Sequence, residues 1–407
     1  MIDLKAVVYI SICFLVLEGK GQDNSIAQYL LSAEKDKQLE RYQAELNFLE
    51  STSMRPSLIR ETEVRMTTER LETKIDDYRL RVSPTNPWEI RANNRYKTQL
   101  EENTKTRYQI SFSKALKTRY EMLLKHSYLS EMIRHSREEV DFRKKIADQI
   151  TLQQTTIDLE ELIEIESDLS NEEIKLAEME MELNEAQEMI ALDIENQIDW
   201  TGFNMITPES VSSYLEIQDS TDQQNLYKLN AQQNFALEEK MFQVNKTEAF
   251  SNIGFLQANY ETDRDGGIDN KMGLQLGITI PIANRDKADL ARDRFELIEA
   301  KTDKEEKEQM VDQRIEILKS KLQSSYKMYA MINAKIERLE KLKPTVSEAA
   351  DLKPFISYTT YRISLSKKKT DLHIDIVEDF IDLLDLQGLL VKSPLTNYLS
   401  NELSIIE

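Results

Sequence analysis

Between Pro87 and Gln149 the chain carries no glycine and no further proline, and after Pro281 no proline returns until Pro344 and no glycine until Gly388. Those two residues are the ones that end helices, so two such uninterrupted stretches, rich in Glu, Lys, Leu and Gln, predict two very long helices. A helix of about 65 residues is roughly 100 Å long, which no compact globule requires and a conduit does. Val311, Ile315, Leu318, Leu322, Tyr326, Tyr329, Ile332, Ile336 and Leu339 recur at threes and fours, close to a heptad seam, as do Leu159, Leu162, Leu169, Leu176, Leu183 and Ile190. Long antiparallel coiled-coil helices are the expected core.

The chain has only 9 glycines, and five of them (Gly254, Gly266, Gly267, Gly273 and Gly277) fall in one short stretch. There Met272, Leu274, Leu276, Ile278 and Ile280 alternate with Gly273, Gln275, Gly277 and Thr279. This period of two marks a strand with one apolar face. Asp265-Gly266-Gly267 supplies a turn tolerant of positive φ, so a β-hairpin is expected at about 252–281. A second alternation lies at about 60–83, where Glu63-Val-Arg-Met-Thr is followed by Tyr78-Arg-Leu-Arg-Val-Ser-Pro84, with Tyr78, Leu80 and Val82 on the apolar face. This hairpin is the more charged, carrying Arg60, Glu61, Glu63 and Arg65.

Both hairpins end in a proline followed by a helical text opening with Asn or Asp, and Pro84 and Pro281 lie about 197 residues apart. That spacing implies an internal two-fold repeat, 22–207 and 208–407. The helical text breaks near 150–157 and again near 352–361, roughly 70 residues beyond each proline. The two halves therefore place a hairpin tip at matching distances.

At the N-terminus Lys5 precedes an apolar run from Ala6 to Leu17, with Gly19 and Gly21 after it, the pattern of a secretory signal peptide over residues 1–21. The single cysteine, Cys13, lies within that run, and its Phe14-Leu15-Val16 flank is poor for lipoprotein cleavage. No later segment is apolar enough to span a bilayer as a helix, so insertion would require a closed β-barrel. The formal charge of −20 argues against nucleic acid as a partner.

Helix, hairpin, long helix, tip, returning helix, polar joint, and then the same again resembles the TolC-like outer-membrane factors. The residues carrying the resemblance are Ser251 to Lys287 with Ile280-Pro281-Ile282, the joint Asp199-Trp-Thr-Gly-Phe with Pro208 beyond it, and the ending Phe380-Ile-Asp-Leu-Leu-Asp-Leu-Gln-Gly388. The resemblance covers essentially the whole mature chain and implies a homotrimer. Its helices would form a trimeric α-barrel, and two hairpins per protomer would contribute to a shared twelve-stranded transmembrane β-barrel. It further implies a passive outer-membrane channel of a Gram-negative efflux or type I secretion system, docked to a periplasmic adaptor and an inner-membrane pump. Met272, Leu274, Leu276, Ile278 and Ile280 would face lipid. Ile150, Thr151, Leu152, Ser357 and Tyr358 would stand at the tips, and Asp351 and Tyr358 near a gate. The sequence departs from the family in having Thr151 and Ser357 where tip glycines are common, and no acidic ring between Tyr358 and Lys369.

From Leu159 to Asp199 the text is densely acidic, while the preceding helix carries Arg107, Lys114, Lys117, Arg119, Arg134, Arg137, Lys144 and Lys145. An acidic lumen and a solvated face paired with a basic neighbour helix both account for this. Trp88 suits an interface belt below the barrel, and Trp200 a buried joint between helices. Phe255 and Tyr260 suit an aromatic girdle, with either face open. His126, His135 and His373 are scattered, without metal-ligand spacing. No phosphate loop, nucleophile elbow or Cys–His pair is present, so neither an enzyme nor a cofactor is expected. Asn245-Lys-Thr247 matches a glycosylation acceptor, an accident in this setting. The alternative is a soluble periplasmic coiled-coil adaptor or scaffold without a pore.

Overall fold

The computed structural model describes residues 25–67, 77–152, 159–194, 198, 200, 205–218, 225–249, 254–261, 271–277, 287–347 and 352–406. The expected signal peptide, Cys13, the turn Asp265-Gly266-Gly267, the strand end Ile278 and Ile280, and Asp351 lie outside them. The elements in order are α1 (25–31), α2 (Lys37–Ser51), β1 (Ile59–Thr67), β2 (Asp77–Pro84), α3 (Pro87–Leu152) and α4 (Leu159–Asp193). After them come α5 (Pro208–Gln218), α6 (Leu226–Ala249), β3 (Phe255–Glu261), β4 (Lys271–Gly277), α7 (Lys287–Ser347) and α8 (Leu352–Gln387). The protein is thus mostly helical with one small antiparallel sheet. Residues 352–361, expected as a break, form the first turns of α8 instead. Pro354 is tolerated there because the first-turn N–H groups have no intrahelical partner in any case.

The chain divides into two compact units, Met1–Leu39, Gln109–Asn225 and Val311–Glu407 in one, and Glu40–Tyr108 with Leu226–Met310 in the other. The second holds the sheet, ordered β1-β2-β3-β4 and antiparallel throughout. Its helices keep the same chain order. The Arg107 guanidinium lies 5.4 Å from the Tyr42 ring, joining α2 to α3. Asn103 donates to Asn234 at 2.8 Å, joining α3 to α6, and Asn245 donates to Asp293 at 2.8 Å, joining α6 to α7.

The first unit packs its helices side by side as α4-α3-α8-α7. Arg137, Arg143 and Lys144 on α3 each meet a carboxylate of α4 (Glu180, Asp168 and Glu173) at 2.7 Å. On the other side of α3, Ser113 donates to Asp385 at 2.6 Å and Lys117 meets Asp382 at 2.7 Å. Lys321 of α7 meets Asp379 of α8 at 2.7 Å. Leu116, Tyr120 and Leu123 of α3 and Ile376, Val377, Phe380, Leu383 and Leu384 of α8 are buried and supply the apolar core. Helix α8 stops in a Schellman turn, with Gly388 at φ 71° and hydrogen bonds Gly388 N–H to Asp385 O and Leu389 N–H to Leu384 O. The chain then folds back so that Tyr120 donates to Thr396 O at 2.8 Å.

All three histidines sit in this unit. His126, 4% exposed, stacks on Trp200 at 3.5 Å between ring centroids and 18° between planes, and Gln187 Nε2 lies 3.1 Å from its Nε2. His373 donates from Nε2 to Ile206 O at 2.7 Å, tying α8 to the joint before α5. Burial holds the His126 imidazole down at about 4, and burial lowers His135 and His373 in the same direction. The folded state therefore resists protonation. The contribution of His126 is full above the ordinary value of 6.5 and is lost as pH falls from there toward 4, amounting to about 3 kcal/mol. Thermal melting followed at pH 7.5 and at pH 5 should show the acid sample less stable. The His126→Phe variant should show a smaller difference; an unchanged difference would mean His126 does not titrate on unfolding.

Candidate functional site

The four strands combine two sequence patterns into one surface. Register places Met66, Tyr78, Tyr260 and Met272 in one cross-strand row, Val64, Leu80, Ala258 and Leu274 in the next, and Thr62, Val82, Leu256 and Leu276 in a third. Because side chains alternate along each strand, these twelve residues share one face, and eleven of them are apolar or aromatic. The face is open in the single chain: Met272, Leu274 and Leu276 are 84%, 82% and 73% exposed. Exposure of this kind over a whole sheet face marks a surface that meets lipid or a partner.

The opposite face carries the charges that made the first hairpin look unusual. Arg65 meets Glu63 at 2.6 Å and Arg79 meets Asp77 at 2.6 Å, while Arg81 lies 4.0 Å from Glu63. Gln257 donates to Asn259 at 2.6 Å beside them. Phe255 belongs to this face, five residues and so an odd number of pleats from Tyr260. The two aromatics therefore cannot share a girdle; Tyr260 lies on the apolar face, 6.3 Å from Tyr78 between ring centroids. Phe255 instead covers Gly277, where any Cβ would collide with its ring, and takes the Arg81 guanidinium 3.7 Å above its centroid. Arg60, at the irregularity between Ile59 and Glu61, pairs with Glu89 at 3.2 Å.

Each four-element row has free flanks. Among the described residues β1 and β4 pair on one side only. In the helical unit the flanks are α4 and α7, and both leave an apolar stripe uncovered. On α4 it consists of Ile163, Ile174, Met181 and Leu192, the last 86% exposed; on α7 it consists of Ile317, Met328, Met331 and Leu342. Steps of 11, 7 and 11 residues, and of 11, 3 and 11, keep each set on one helix face.

The expected tip residues fall at the end of one helix and near the start of another. Ile150, Thr151 and Leu152 end α3, while Ser357 is exposed and Tyr358 buried near the start of α8. Phe355 packs edge-on against Phe142 at 5.9 Å. Above them an ionic cluster joins three helices: Lys367 of α8 meets Glu139 at 2.8 Å and Glu172 at 3.4 Å, Arg143 meets Glu139 at 2.8 Å, and Arg362 pairs with Glu138. Burial pushes the Glu139 carboxyl up, but the hydrogen bonds from Lys367 and Arg143 outweigh it and hold it below the usual carboxylate range. Five of the thirteen acidic residues of α4 are thus paired with α3 or α8. Among the described residues no helix is long and apolar enough to cross a membrane, and no group of three His, Cys, Asp or Glu could hold a metal ion.

Substituting Gly277→Val should displace the Phe255 ring, unseat Arg81 and lower stability by about 1–3 kcal/mol. Adding Phe255→Ala should recover much of that loss in a thermal double-mutant comparison; additive losses would show that the ring does not depend on the bare glycine.

No protein-family model matches the sequence, and no curated protein matches it. Solved structures do. The chain is similar to the open state of the MtrE outer membrane channel of Neisseria gonorrhoeae, with TM-score 0.64, 11% identity, and coverage of 90% of this chain and 89% of that one. It is similar to the outer membrane protein VceC of Vibrio cholerae, with TM-score 0.62, 10% identity and coverage of 90% and 95%. It is similar also to the CmeC outer membrane channel of Campylobacter jejuni, with TM-score 0.57, 11% identity and coverage of 90% and 85%. The four-stranded sheet and the paired long helices are therefore those of a known architecture, and the chain has the TolC-like outer-membrane factor fold.

Proposed function

We propose that three copies of this chain form a passive export channel in the outer membrane of a Gram-negative bacterium. The observation that carries this reading is the continuous apolar face of the sheet, bounded by edge strands with free backbone groups. In lipid those groups must find partners, and the antiparallel order leaves β4 of one copy running opposite to β1 of the next, as closure requires. The charged face, with its Arg, Glu, Asp and Gln residues, then lines a water-filled bore. The count of three, giving twelve strands, comes from the resemblance to TolC-like outer-membrane factors, as does docking to a periplasmic adaptor and an inner-membrane pump through the tips near Ile150–Leu152 and Ser357–Tyr358, while the internal repeat rests on the spacing of Pro84 and Pro281. The resemblance also makes the packing of Tyr358 and Asp351 the candidate gate. Energy would come from the pump.

The helical flanks support the same assembly. Ile174 lies 15 residues from the start of α4 and Met331 lies 16 from the end of α7, and Ile163 and Leu342 lie 4 and 5 residues from the same ends. The stripes therefore match in level if α4 of one copy meets α7 of the next. Their charges match too, with thirteen Asp and Glu against one Lys in α4, and eight Lys and Arg against four Asp and Glu in α7 from Val311 onward. A head-to-tail contact of this kind closes a ring when the rotation between copies divides a full turn. A soluble adaptor gives no reason for a bare apolar sheet face.

Paired Ile174→Cys and Met331→Cys substitutions should cross-link the protein into a ladder that stops at the trimer, and the trimer should conduct ions in planar bilayers. A chain that stays monomeric, extracts with salt and shows no conductance would contradict the channel and favour the poreless coiled-coil alternative.

A further inference from the structure

At the foot of the sheet a groove of about 520 Å³ opens between the start of α3 and the end of α6. Trp88, Arg91 and Arg95 line it from α3, and Gln243, Lys246 and Thr247 from α6. Trp88, 64% exposed, stands four residues beyond the last residue of β2, its backbone N–H held by Asn86 Oδ1 at 3.0 Å. Steps of three and four residues put Trp88, Arg91 and Arg95 on one face of α3. Arg91, Arg95 and Lys246 are exposed, and among the described residues none of them makes an ion pair. On the neighbouring strands, by contrast, Arg65, Arg79 and Arg60 each have a carboxylate. In a chain of net charge −20, three cations without acids thus stand around a bare indole.

We propose that this groove holds the phosphate of an anionic phospholipid head group, seating the protein in the periplasm-facing leaflet. The inference rests on the channel reading, which puts the end of the apolar strands at the membrane boundary. Guanidinium groups bind phosphate oxygens through two parallel N–H bonds, and tryptophan favours the level where head groups meet acyl chains. The groove is continuous in sequence with the apolar strands on both sides: β2 runs into α3 directly, and α6 leads to β3. A free phosphate would use the cations and leave the indole in water; a lipid uses both.

The full chain in lipid nanodiscs, in a Trp200→Phe background, leaves Trp88 as the sole tryptophan and reports its neighbours by quenching. Phosphatidylglycerol brominated near the head-group end of its chains should quench Trp88 more strongly than equally brominated phosphatidylcholine, with an apparent preference of about tenfold. The variant R91Q/R95Q/K246Q should lose that preference at unchanged helicity, R91K/R95K should keep part of it, and added inorganic phosphate should leave the quenching in place. Equal quenching by both lipids, or a preference that survives in the triple variant or is abolished by inorganic phosphate, overturns the proposal. If such protein still conducts, only the lipid site is lost; if the chain does not insert at all, the channel reading falls and this one with it.

Discussion

A strand edge inside a bilayer has no water to satisfy its N–H and C=O groups, and this single cost organises the account. The sheet has two such edges, β1 and β4, and one face made almost wholly of Met, Leu, Val and Tyr. Neither feature is stable in water alone: the face would aggregate and the edges would pair with whatever strand arrived. In the proposed channel, lipid would remove the cost of the face and neighbouring copies the cost of the edges. Closure in a membrane, as proposed, would account for both.

The same logic governs the helices, with ion pairs and apolar stripes in place of backbone bonds. Inside the helical unit α3 and α8 are covered on both sides, and their contacts are specific, as in Ser113 with Asp385 and Lys367 with Glu139 and Glu172. Among the described residues the flanking helices α4 and α7 each leave an apolar stripe exposed. The charges that look excessive in the sequence of α4 thus have two destinations. Asp168, Glu173, Glu180 and Asp193 are paired with α3 and Glu172 with α8, and in the proposed assembly the others would meet a helix of opposite sign.

The helical part of the fold was legible because α3 beyond Pro87 and α7 before Pro344 carry no Gly or Pro to break so long a helical text. The apolar alternation of Met272, Leu274 and Leu276 was legible for the same kind of reason, since a period of two has one structural meaning. What could not be read was the partner of each hairpin. Strands β2 and β3 are separated by four helices, and only their register unites Tyr78 with Tyr260 and Leu80 with Ala258. The charged character of β1 concealed its two-faced pattern, because Glu61, Glu63 and Arg65 are conspicuous where Val64 and Met66 are not. Phe255 could have been separated from Tyr260 by counting parity alone. The break expected at 352–361 misread a first-turn proline as a stop. The order α4-α3-α8-α7, which creates the flanks, rests on contacts such as Lys117 with Asp382 that pair residues far apart in the chain.

The central claim is that one face of the sheet meets lipid while the other meets water. Single cysteines placed along 255–261 and 271–277 of the reconstituted protein, challenged with a charged maleimide that cannot enter lipid, test it directly. Reaction is expected at Gln257, Asn259, Gly273 and Gln275 and protection at Leu256, Ala258, Tyr260, Met272, Leu274 and Leu276. Equal reaction at odd and even positions would contradict it.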